Sequence, residues 1–291
     1  MALRGGDLVL CSGTLRRGTP FAERLDAASA GGFAGVSLWG RDYQEARDGG
    51  LSDRDLRAML DDHGLAVAEL DPVWWWLPGA AEVQIPPEFD TEDIFRFREA
   101  ELFAVAEALG ARSVNAVDIF GGTWSTEDAA ASFAALCRRA AEHGLLVHLE
   151  FLPWSRIPDL RAAWTIVQAA DEPNGGLMLD AWHYFRSSPD DALLRSLPGH
   201  RVTAVQLSDA PGRPESNLLE ATLHQRLLPG EGELDLGSLL SSLRMIGAVA
   251  PIGVEVFSDG LHRLDPVEAG RLAGASARQL LHDAGGASSA V

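Results

Sequence analysis

Short apolar segments rich in β-branched residues alternate eight times with longer segments of helical period along the 291-residue chain. Eight strand–helix units of this length are typical of a (β/α)8 TIM barrel, in the α/β class. No linker or change of composition marks a second domain, so we expect one barrel over residues 1–285 and a flexible tail at 286–291. The predicted strands are Leu8–Ser12, Gly35–Leu38, Ala66–Leu70, Ser113–Val117, Leu145–Phe151, Gly176–Asp180, Val202–Leu207 and Ile252–Phe257.

The helical segments carry boundary signals. Ser52 and Ser125 are good N-cap residues, and Gly64 and Gly144 follow predicted helix ends. A doubly wound open sheet is the alternative fold, but it would normally show a GxGxxG turn after the first strand, which segment 11–14 does not match. The predicted helices are Pro20–Ala30, Ser52–His63, Thr91–Leu109, Ser125–Glu142, Asp159–Ala170, Pro189–Ser196, Leu236–Ile246 and Pro266–Asp283.

All 24 basic residues are arginine, because the chain contains no lysine. This excludes lysine-imine aldolases, pyridoxal enzymes and P-loop proteins. The formal charge of −18 disfavours nucleic acid and anionic membrane surfaces as partners. No apolar run approaches the roughly 18 residues of a transmembrane helix, and the N-terminus shows no secretory signal. With only Cys11 and Cys137, far apart, we expect a reducing, cytoplasmic setting and neither a disulfide framework nor a CxxC metal site. The expected partner is a small-molecule substrate.

Four consecutive predicted strands end with an oxygen ligand at about the same height, namely Glu150, Asp180, Gln206 and Glu255. In a barrel, residues at the carboxyl ends of the strands point into the active site. Three converging carboxylates without a lysine need a cation, because an unpaired buried carboxylate is costly. An all-oxygen set suits a hard divalent ion, so the sequence predicts one ion, Mn²⁺ or Mg²⁺ first and Co²⁺ or Zn²⁺ as alternatives. An ordinary salt bridge or capping acid is the alternative role for any one of them.

This ordered set resembles the xylose-isomerase-like barrel superfamily of sugar isomerases, epimerases and dehydratases. The resemblance covers nearly the whole chain. Besides the four strand-end residues it includes His183, three residues after Asp180, and Asp209, three residues after Gln206. The segment at 226–232, RLLPGEG, is similar to the R-x-x-PGxG stretch of that superfamily.

One departure from the superfamily narrows the reaction. Ketose 3-epimerases of the superfamily usually carry a histidine where this chain has Gln206, whereas the metal-dependent 3-dehydroshikimate dehydratases carry glutamine there. The epimerases also have a second glutamate soon after the ligand on strand five, and segment 153–156, PWSR, contains no acid. The resemblance therefore favours a dehydratase over a plain 3-epimerase. Endonuclease IV, a DNA-repair relative, is disfavoured as the function of this chain, because its site holds three metals and needs more histidines.

The resemblance implies proton abstraction next to a carbonyl, with a metal-stabilised enediolate. Glu150 and Glu255 are then metal ligands that also move the proton. His183 holds or protonates a substrate hydroxyl, or orients a neighbouring group instead. Arg226, in the long insertion at 209–233, binds an oxygen-rich or anionic substrate group or forms a structural ion pair, and His224 lies on the same insertion.

Seven of the eight tryptophans follow predicted strand ends. Large aromatic residues concentrate in loops when they line a pocket or an interface. We expect Trp39, Trp154 and Trp182 to bind the substrate, with rim packing or a homodimer contact as the alternative.

The sequence as a whole predicts a divalent-metal-dependent lyase or isomerase that acts next to a carbonyl of a polyol, keto-sugar or cyclitol-like substrate. A ketose 3-epimerase or sugar isomerase and a non-catalytic ligand-binding barrel are the alternatives. The barrel that has lost catalysis would be expected to lose metal ligands, and all four are present.

Overall fold

The computed structural model describes residues 2–82, 95–119 and 122–286. Eight parallel strands close into one barrel in chain order, which confirms the predicted (β/α)8 architecture. All strand carboxyl ends therefore open on one face, the usual place of the active site in this fold. The strands are β1 Leu8–Leu10, β2 Gly35–Trp39, β3 Ala66–Val73, β4 Ser113–Ala116, β5 Leu146–Glu150, β6 Gly175–Asp180, β7 Val202–Leu207 and β8 Ile252–Val254.

Helices surround the barrel, and their apolar faces pack against the strands in one continuous core. The predicted caps are confirmed at Ser52 and Ser125, whose side chains accept hydrogen bonds from the backbone N–H three residues later. Within the described ranges, the α-helices are Phe21–Ala30, Gly40–Asp48, Asp53–Asp62, Glu99–Leu109, Thr126–Glu142, Leu160–Ala170, Ala181–Arg186, Asp191–Leu194, Leu218–His224, Leu236–Met245, Asp259–His262 and Pro266–Gly286.

Several helix predictions need correction. The helix predicted from Thr91 begins at Glu99, because Arg98 is extended and residues 95–98 are not helical; residues 91–94 lie outside the described part of the chain. The predicted helix Pro189–Ser196 is a single turn, Asp191–Leu194. Gly286 ends the last helix, and the remainder of the predicted tail, residues 287–291, lies outside the described residues.

In the part of the chain that the structure describes, four short α-helices were not predicted, and all four lie in connections that follow strands. Each is shorter than the sequence window of about 11–18 residues in which helical periodicity can be recognised. Two of them carry residues of the site, since one holds His183 and another holds Thr222 and Leu223, which line the cavity described below. The four are Gly40–Asp48, Ala181–Arg186, Leu218–His224 and Asp259–His262.

A polar layer lies inside the barrel below the strand ends. The ring of His148 is fully buried, and its two nitrogens lie 2.7 Å from Thr203 Oγ1 and 2.8 Å from Ser113 Oγ. His148 is therefore a core histidine with both nitrogens satisfied. Across residues 2–82, 95–119 and 122–286, none of the helices has the length and apolar character needed to cross a bilayer.

Candidate active site

Strand register places Asp180 and Gln206 at one level, and Glu255 lies two residues farther along the chain at the carboxyl end of β8. The Cα of Asp180 pairs with that of Gln206, and the Cα of Gln206 pairs with that of Gly253, two residues before Glu255. Gly253 also makes room inside the barrel, because a Cβ at this position would lie 3.1 Å from Gln206 Cγ and 2.7 Å from Cys11 Sγ. A larger residue there would therefore press on Cys11 and crowd Gln206.

Glu150, Asp180 and His183 form a group that could hold a metal ion, because each offers one ligand atom and these atoms lie within 4.8 Å of one another. All three side chains are buried. His183 reaches the group through a short helix: Asp180 Oδ1 accepts a hydrogen bond of 2.9 Å from the backbone N–H of His183, capping helix Ala181–Arg186. Its Nε2 then lies 3.5 Å from Glu150 Oε1. The D-x-x-H motif is thus a helix cap that directs an imidazole into the site.

Arg226 lies against these carboxylates. Its Nη1 donates to Asp180 Oδ2 at 2.7 Å and lies 3.4 Å from Glu255 Oε2. Its Nε and Nη2 bond Thr222 O and Thr222 Oγ1 at 3.1 and 2.8 Å, and Nη2 is 3.3 Å from His183 Nε2. The side chain is 2% exposed, so Arg226 is a buried ion-pair partner of the site.

Asp209 holds the loop that follows Arg226, which contains the PGEG segment at 229–232. Asp209 Oδ2 accepts from the Gly230 N–H at 3.0 Å, and its Oδ1 accepts from the Leu234 N–H at 3.1 Å. A Cβ at Gly232 would lie 2.4 Å from Asp209 Oδ1 and from Ala210 O, so no larger residue fits there. Asp209 therefore has a structural role: it fixes the loop conformation through backbone hydrogen bonds, and Gly232 allows the close approach.

Gln206 and Glu255 complete the set of predicted ligands. Gln206 Nε2 donates to Glu255 Oε1 at 3.4 Å and to Glu69 Oε1 at 3.5 Å. The Gln206 Oε1 atom is buried without a hydrogen-bond partner, as is Nδ1 of His183. An unpaired amide oxygen at Gln206, and an imidazole nitrogen of His183 within reach of Glu150 and Asp180, are donors of the kind that divalent cations accept. The residues therefore fit a metal ion.

Two further acids on β3 were missed by the sequence analysis. Glu69 and Asp71 are both buried inside the barrel. Asn115 joins Asp71 to the site, because its Nδ2 donates to Asp71 Oδ1 at 3.0 Å and to Glu150 Oε2 at 2.7 Å. The sequence does contain a pattern that indicates them: two acids at positions i and i+2 of an apolar strand lie on the same face of that strand. His148 and Glu150 on β5 have the same spacing.

Burial and mutual repulsion change how these acids ionise. Burial raises the pKa of Glu150 and of Glu255, and the charge of Glu255 raises that of Glu150 further. Burial likewise raises the pKa of Glu69 to about 8 and that of Asp71 to about 6. Burial also opposes ionisation of Asp180, but the neighbouring Arg226 and His183 outweigh it and leave its pKa below the usual value. Without a cation the cluster therefore resists full ionisation, because Arg226 is the ion-pair partner of Asp180 and Glu255.

A cavity opens above the cluster and encloses about 490 Å³, including open solvent at its mouth. Its floor is acidic and most of its wall is aromatic or aliphatic. Of the predicted substrate-binding residues, Trp39, Trp154 and Arg226 line it. The lining residues are Trp39, Asp71, Pro72, Trp74, Val117, Ile119, Glu150, Leu152, Trp154, His183, Thr222, Leu223, Arg226, Glu255 and Phe257.

Two predicted substrate-binding residues do not line the cavity. Trp182 is 0% exposed and packs edge-on against Trp154, with ring centroids 6.3 Å apart, because helix Ala181–Arg186 directs it away from the opening. The side chain of His224 is 44% exposed, and its Nδ1 lies 2.9 Å from Asp259 Oδ1. His224 is at the end of helix Leu218–His224, whose Thr222 and Leu223 face the cavity instead.

The family model described as a xylose isomerase-like TIM barrel matches residues 25–280. The chain belongs to this family. The resemblance stated from the strand-end residues is thereby confirmed. Among curated members with similar sequences, a 3-dehydroshikimate dehydratase of Pseudomonas aeruginosa is 31% identical over 276 residues, which cover 91% of this chain and 39% of that enzyme. An inosose isomerase of Bacillus subtilis is 28% identical over 132 residues, covering 45% of this chain and 46% of that enzyme.

The chain spans about two fifths of the length of the dehydratases that it matches, at 39% and 37%. Among solved structures of xylose isomerase-like barrels, the IOLI protein with a bound zinc atom superposes with a TM-score of 0.81 at 20% identity, covering 95% of this chain and 98% of that one. At this identity the similarity establishes the fold.

Proposed function

We propose that this xylose isomerase-like barrel is a divalent-metal-dependent lyase or isomerase acting next to a carbonyl of a cyclic polyol or keto-sugar. One observation carries the proposal: buried carboxylates, an unpaired amide oxygen and an imidazole converge at the floor of a cavity on the active-site face. Burying this many carboxylates for a structural purpose alone would cost stability, because Arg226 is the arginine that the structure pairs with Asp180 and Glu255.

Glu150, Asp180 and His183 would hold the ion, because their ligand atoms lie within 4.8 Å of one another. Gln206 and Glu255, the other two predicted ligands, lie beside this group and would be further donors. The bound ion would polarise the substrate carbonyl and so acidify the neighbouring C–H. Mn²⁺ or Mg²⁺ suits the oxygen donors, and the imidazole also admits Co²⁺ or Zn²⁺. The IOLI barrel, which binds zinc, has the same fold.

The proton would be moved by a carboxylate of this chain. Glu150 and Glu255 both line the cavity, and burial raises the pKa of each, which favours a carboxylate that can accept and return a proton. Asp71 lines the same cavity and is held by Asn115, so it is a further candidate to protonate a leaving hydroxyl. The aromatic wall would exclude water from the reacting carbon.

The similar enzymes support this reaction class. Two of them are named for 3-dehydroshikimate and inosose, which are both six-membered hydroxy ketones. The carbonyl of such a ketone acidifies the neighbouring C–H, as the proposed reaction requires. A ketose 3-epimerase remains the second candidate within the same chemistry. A binding protein without catalysis is disfavoured by the retained ligand set.

Exchange of the substrate proton with solvent tests the proposal without assuming which product forms. The protein, loaded in turn with Mn²⁺, Mg²⁺, Co²⁺ or Zn²⁺, would be incubated with inosose and with 3-dehydroshikimate in D2O, and deuterium uptake would be followed by mass spectrometry. We expect metal-dependent uptake or turnover of at least one compound, abolished by a chelator. Absence of both with all four metals would contradict the proposed function, and equal uptake with a Glu150→Gln, Glu255→Gln variant would contradict the assigned residues.

A further inference from the structure

The turn that follows β1 holds the end of β8. Both strands have only 3 residues, and a short 3-10 helix, Ser12–Thr14, comes soon after β1. Thr14 is 0% exposed, and its Oγ1 donates to Val254 O at 2.7 Å and accepts from the Val256 N–H at 3.0 Å. One hydroxyl group therefore bonds the backbone on both sides of Glu255.

These two bonds continue the seam between β1 and β8 beyond the strands themselves. From the side of β1, the N–H of Cys11 donates to Val254 O at 3.1 Å, and on the side of β7 the N–H of Glu255 donates to Leu207 O at 3.1 Å. The next N–H along β8, that of the buried Val256, has the threonine hydroxyl as its acceptor. Loss of this hydroxyl would leave a buried N–H without that acceptor, which favours movement of the backbone.

The backbone that Thr14 holds carries several parts of the site. Glu255 Oε2 lies 3.4 Å from Arg226 Nη1, and Glu255 Oε1 accepts from Gln206 Nε2 at 3.4 Å. Phe257, two residues later, lines the cavity, and its carbonyl oxygen accepts from the backbone N–H of Arg226 at 3.0 Å. A shift of this segment would therefore move a carboxylate, part of the cavity wall and the backbone anchor of the arginine together.

Gly13 gives the same turn a second contact with the residues that follow β8. A Cβ at Gly13 would lie 2.2 Å from Phe257 Cζ, so the aromatic ring packs directly on the backbone of the turn. The carbonyl oxygen of Gly13 also lies 2.9 Å from Nε2 of His262, in the helix Asp259–His262. The turn is thus fixed to the chain on the far side of Glu255 as well.

We infer that Thr14 is a positioning residue that holds Glu255 where it reaches Arg226 and the proposed ion. Thr14 is not one of the residues that line the cavity, so it acts through the backbone at Val254 and Val256. The inference rests on the proposed function for its effect on the ion, whereas the placement of Glu255 can be measured without a metal. Groups that orient a metal ligand typically contribute ~10–100-fold to metal affinity or activity.

Two substitutions of Thr14 separate its hydroxyl from its shape. Thr14→Val keeps the shape and removes the hydroxyl, whereas Thr14→Ser keeps the hydroxyl. Thr19→Val is the matched control, because Thr19 is a buried threonine of the same connection whose Oγ1 bonds Arg16 O at 2.7 Å.

Crystal structures of the metal-free variants test the placement directly. In Thr14→Val we expect Glu255 Oε2 to lie beyond hydrogen-bond distance of Arg226 Nη1, at about 3.6 Å or more. In Thr14→Ser and Thr19→Val this contact should be as in the original protein. An unchanged position of Glu255 in Thr14→Val would overturn the inference.

Mn²⁺ affinity, measured by isothermal titration calorimetry, is the second measurement. We expect Thr14→Val to bind the ion about tenfold or more weakly, with Thr14→Ser and Thr19→Val within about twofold of the original protein. An equal loss of affinity in Thr19→Val or in Thr14→Ser would show a general disturbance of the barrel and overturn the inference. Thr14→Ala, which also removes the hydroxyl, takes the place of Thr14→Val in both measurements if the valine variant does not fold.

These results are separate from the fate of the proposed function. Deuterium exchange in the original protein, with Glu255 and Mn²⁺ affinity unchanged in Thr14→Val, overturns the inference alone. A displaced Glu255 in Thr14→Val, without deuterium exchange on any metal in the original protein, overturns the proposed reaction alone. If the original protein binds no Mn²⁺, the metal-free crystal structures still decide whether Thr14 places Glu255.

Discussion

Arg226 Nη1 lies 2.7 Å from Asp180 Oδ2 in an ion pair that is almost completely removed from solvent. The same nitrogen reaches Glu255 Oε2 at 3.4 Å, so one guanidinium orients carboxylates from two strands. Loss of one partner of a buried ion pair leaves an uncompensated charge. Arg226 is therefore expected to act on the geometry and stability of the carboxylate cluster.

Arg226→Met should lower the free energy of unfolding of the metal-free protein by about 3–5 kcal/mol, measured by urea denaturation. Added Mn²⁺ should raise the melting temperature of this variant more than that of the original protein, because the ion compensates carboxylates that have lost their partner. Arg186→Met is the control, since Arg186 pairs with Glu215 at 2.7 Å and does not line the cavity. It should lose stability but keep the original response to Mn²⁺; equal responses in all three proteins would refute this role for Arg226.

Trp154 and Trp182 should behave differently although their rings touch. Trp154 lines the cavity, so Trp154→Ala should raise KM about tenfold while the melting temperature changes little. Trp182 is fully buried, so Trp182→Ala should cost about 3–5 kcal/mol of stability. Steady-state kinetics and denaturant unfolding of both variants check this. A stable Trp182→Ala protein with a raised KM would show that Trp182 binds substrate after all.

Asp71 is expected to support the reaction without holding the ion. Asp71→Asn keeps the shape of the side chain but cannot accept or deliver a proton at its former oxygen. We expect kcat to fall about 100-fold or more, with metal content unchanged by inductively coupled plasma mass spectrometry. Ser113→Ala, which changes the polar layer beneath the cavity, is a comparison for nonspecific disturbance of the barrel. Loss of metal from Asp71→Asn would instead place Asp71 among the ligands.

His63 provides a pH-dependent contribution to stability away from the site. The bond to Met59 O and the contact with Asp26 raise its pKa above the usual 6.5. A raised folded pKa stabilises the protein below the unfolded pKa, and this part is lost as the pH rises through the folded pKa. The His63→Gln substitution should therefore lower the free energy of unfolding, measured in urea, by up to about 1 kcal/mol more near pH 5.5 than near pH 8.5. Asp26→Asn should reproduce part of this pH dependence. A difference in unfolding free energy between the original protein and His63→Gln that grows with rising pH would contradict the prediction.

The sequence predicts the barrel well because strand and helix periods repeat eight times and caps mark several boundaries. It predicts Glu150, Asp180, Gln206 and Glu255 as neighbours because the ends of parallel strands meet on one face of a barrel. It cannot show that Arg226 turns inward to Asp180, since that contact depends on how the long insertion returns to the barrel.

Two other features of the site also depend on tertiary structure. The burial of Trp182 follows from a helix of six residues, Ala181–Arg186, which is too short for a periodic pattern to predict. The spacing of Glu69 and Asp71 places them on one face of β3, but sequence alone does not show that they reach the cluster at the strand ends. Their role appears only when Asn115 is seen between Asp71 and Glu150.

Stoichiometric metal binding tests the central claim most directly. Mn²⁺ titration by calorimetry should give one ion per chain, with affinity about 100-fold weaker in Glu150→Gln and in Asp180→Asn. Gln206→Ala should lose less affinity, because an amide contributes no charge. Glu215→Gln, which removes a carboxylate outside the cavity, should bind as the original protein does. Failure of the original protein to bind any divalent ion, or unchanged affinity in both the Glu150 and Asp180 variants, would contradict the account.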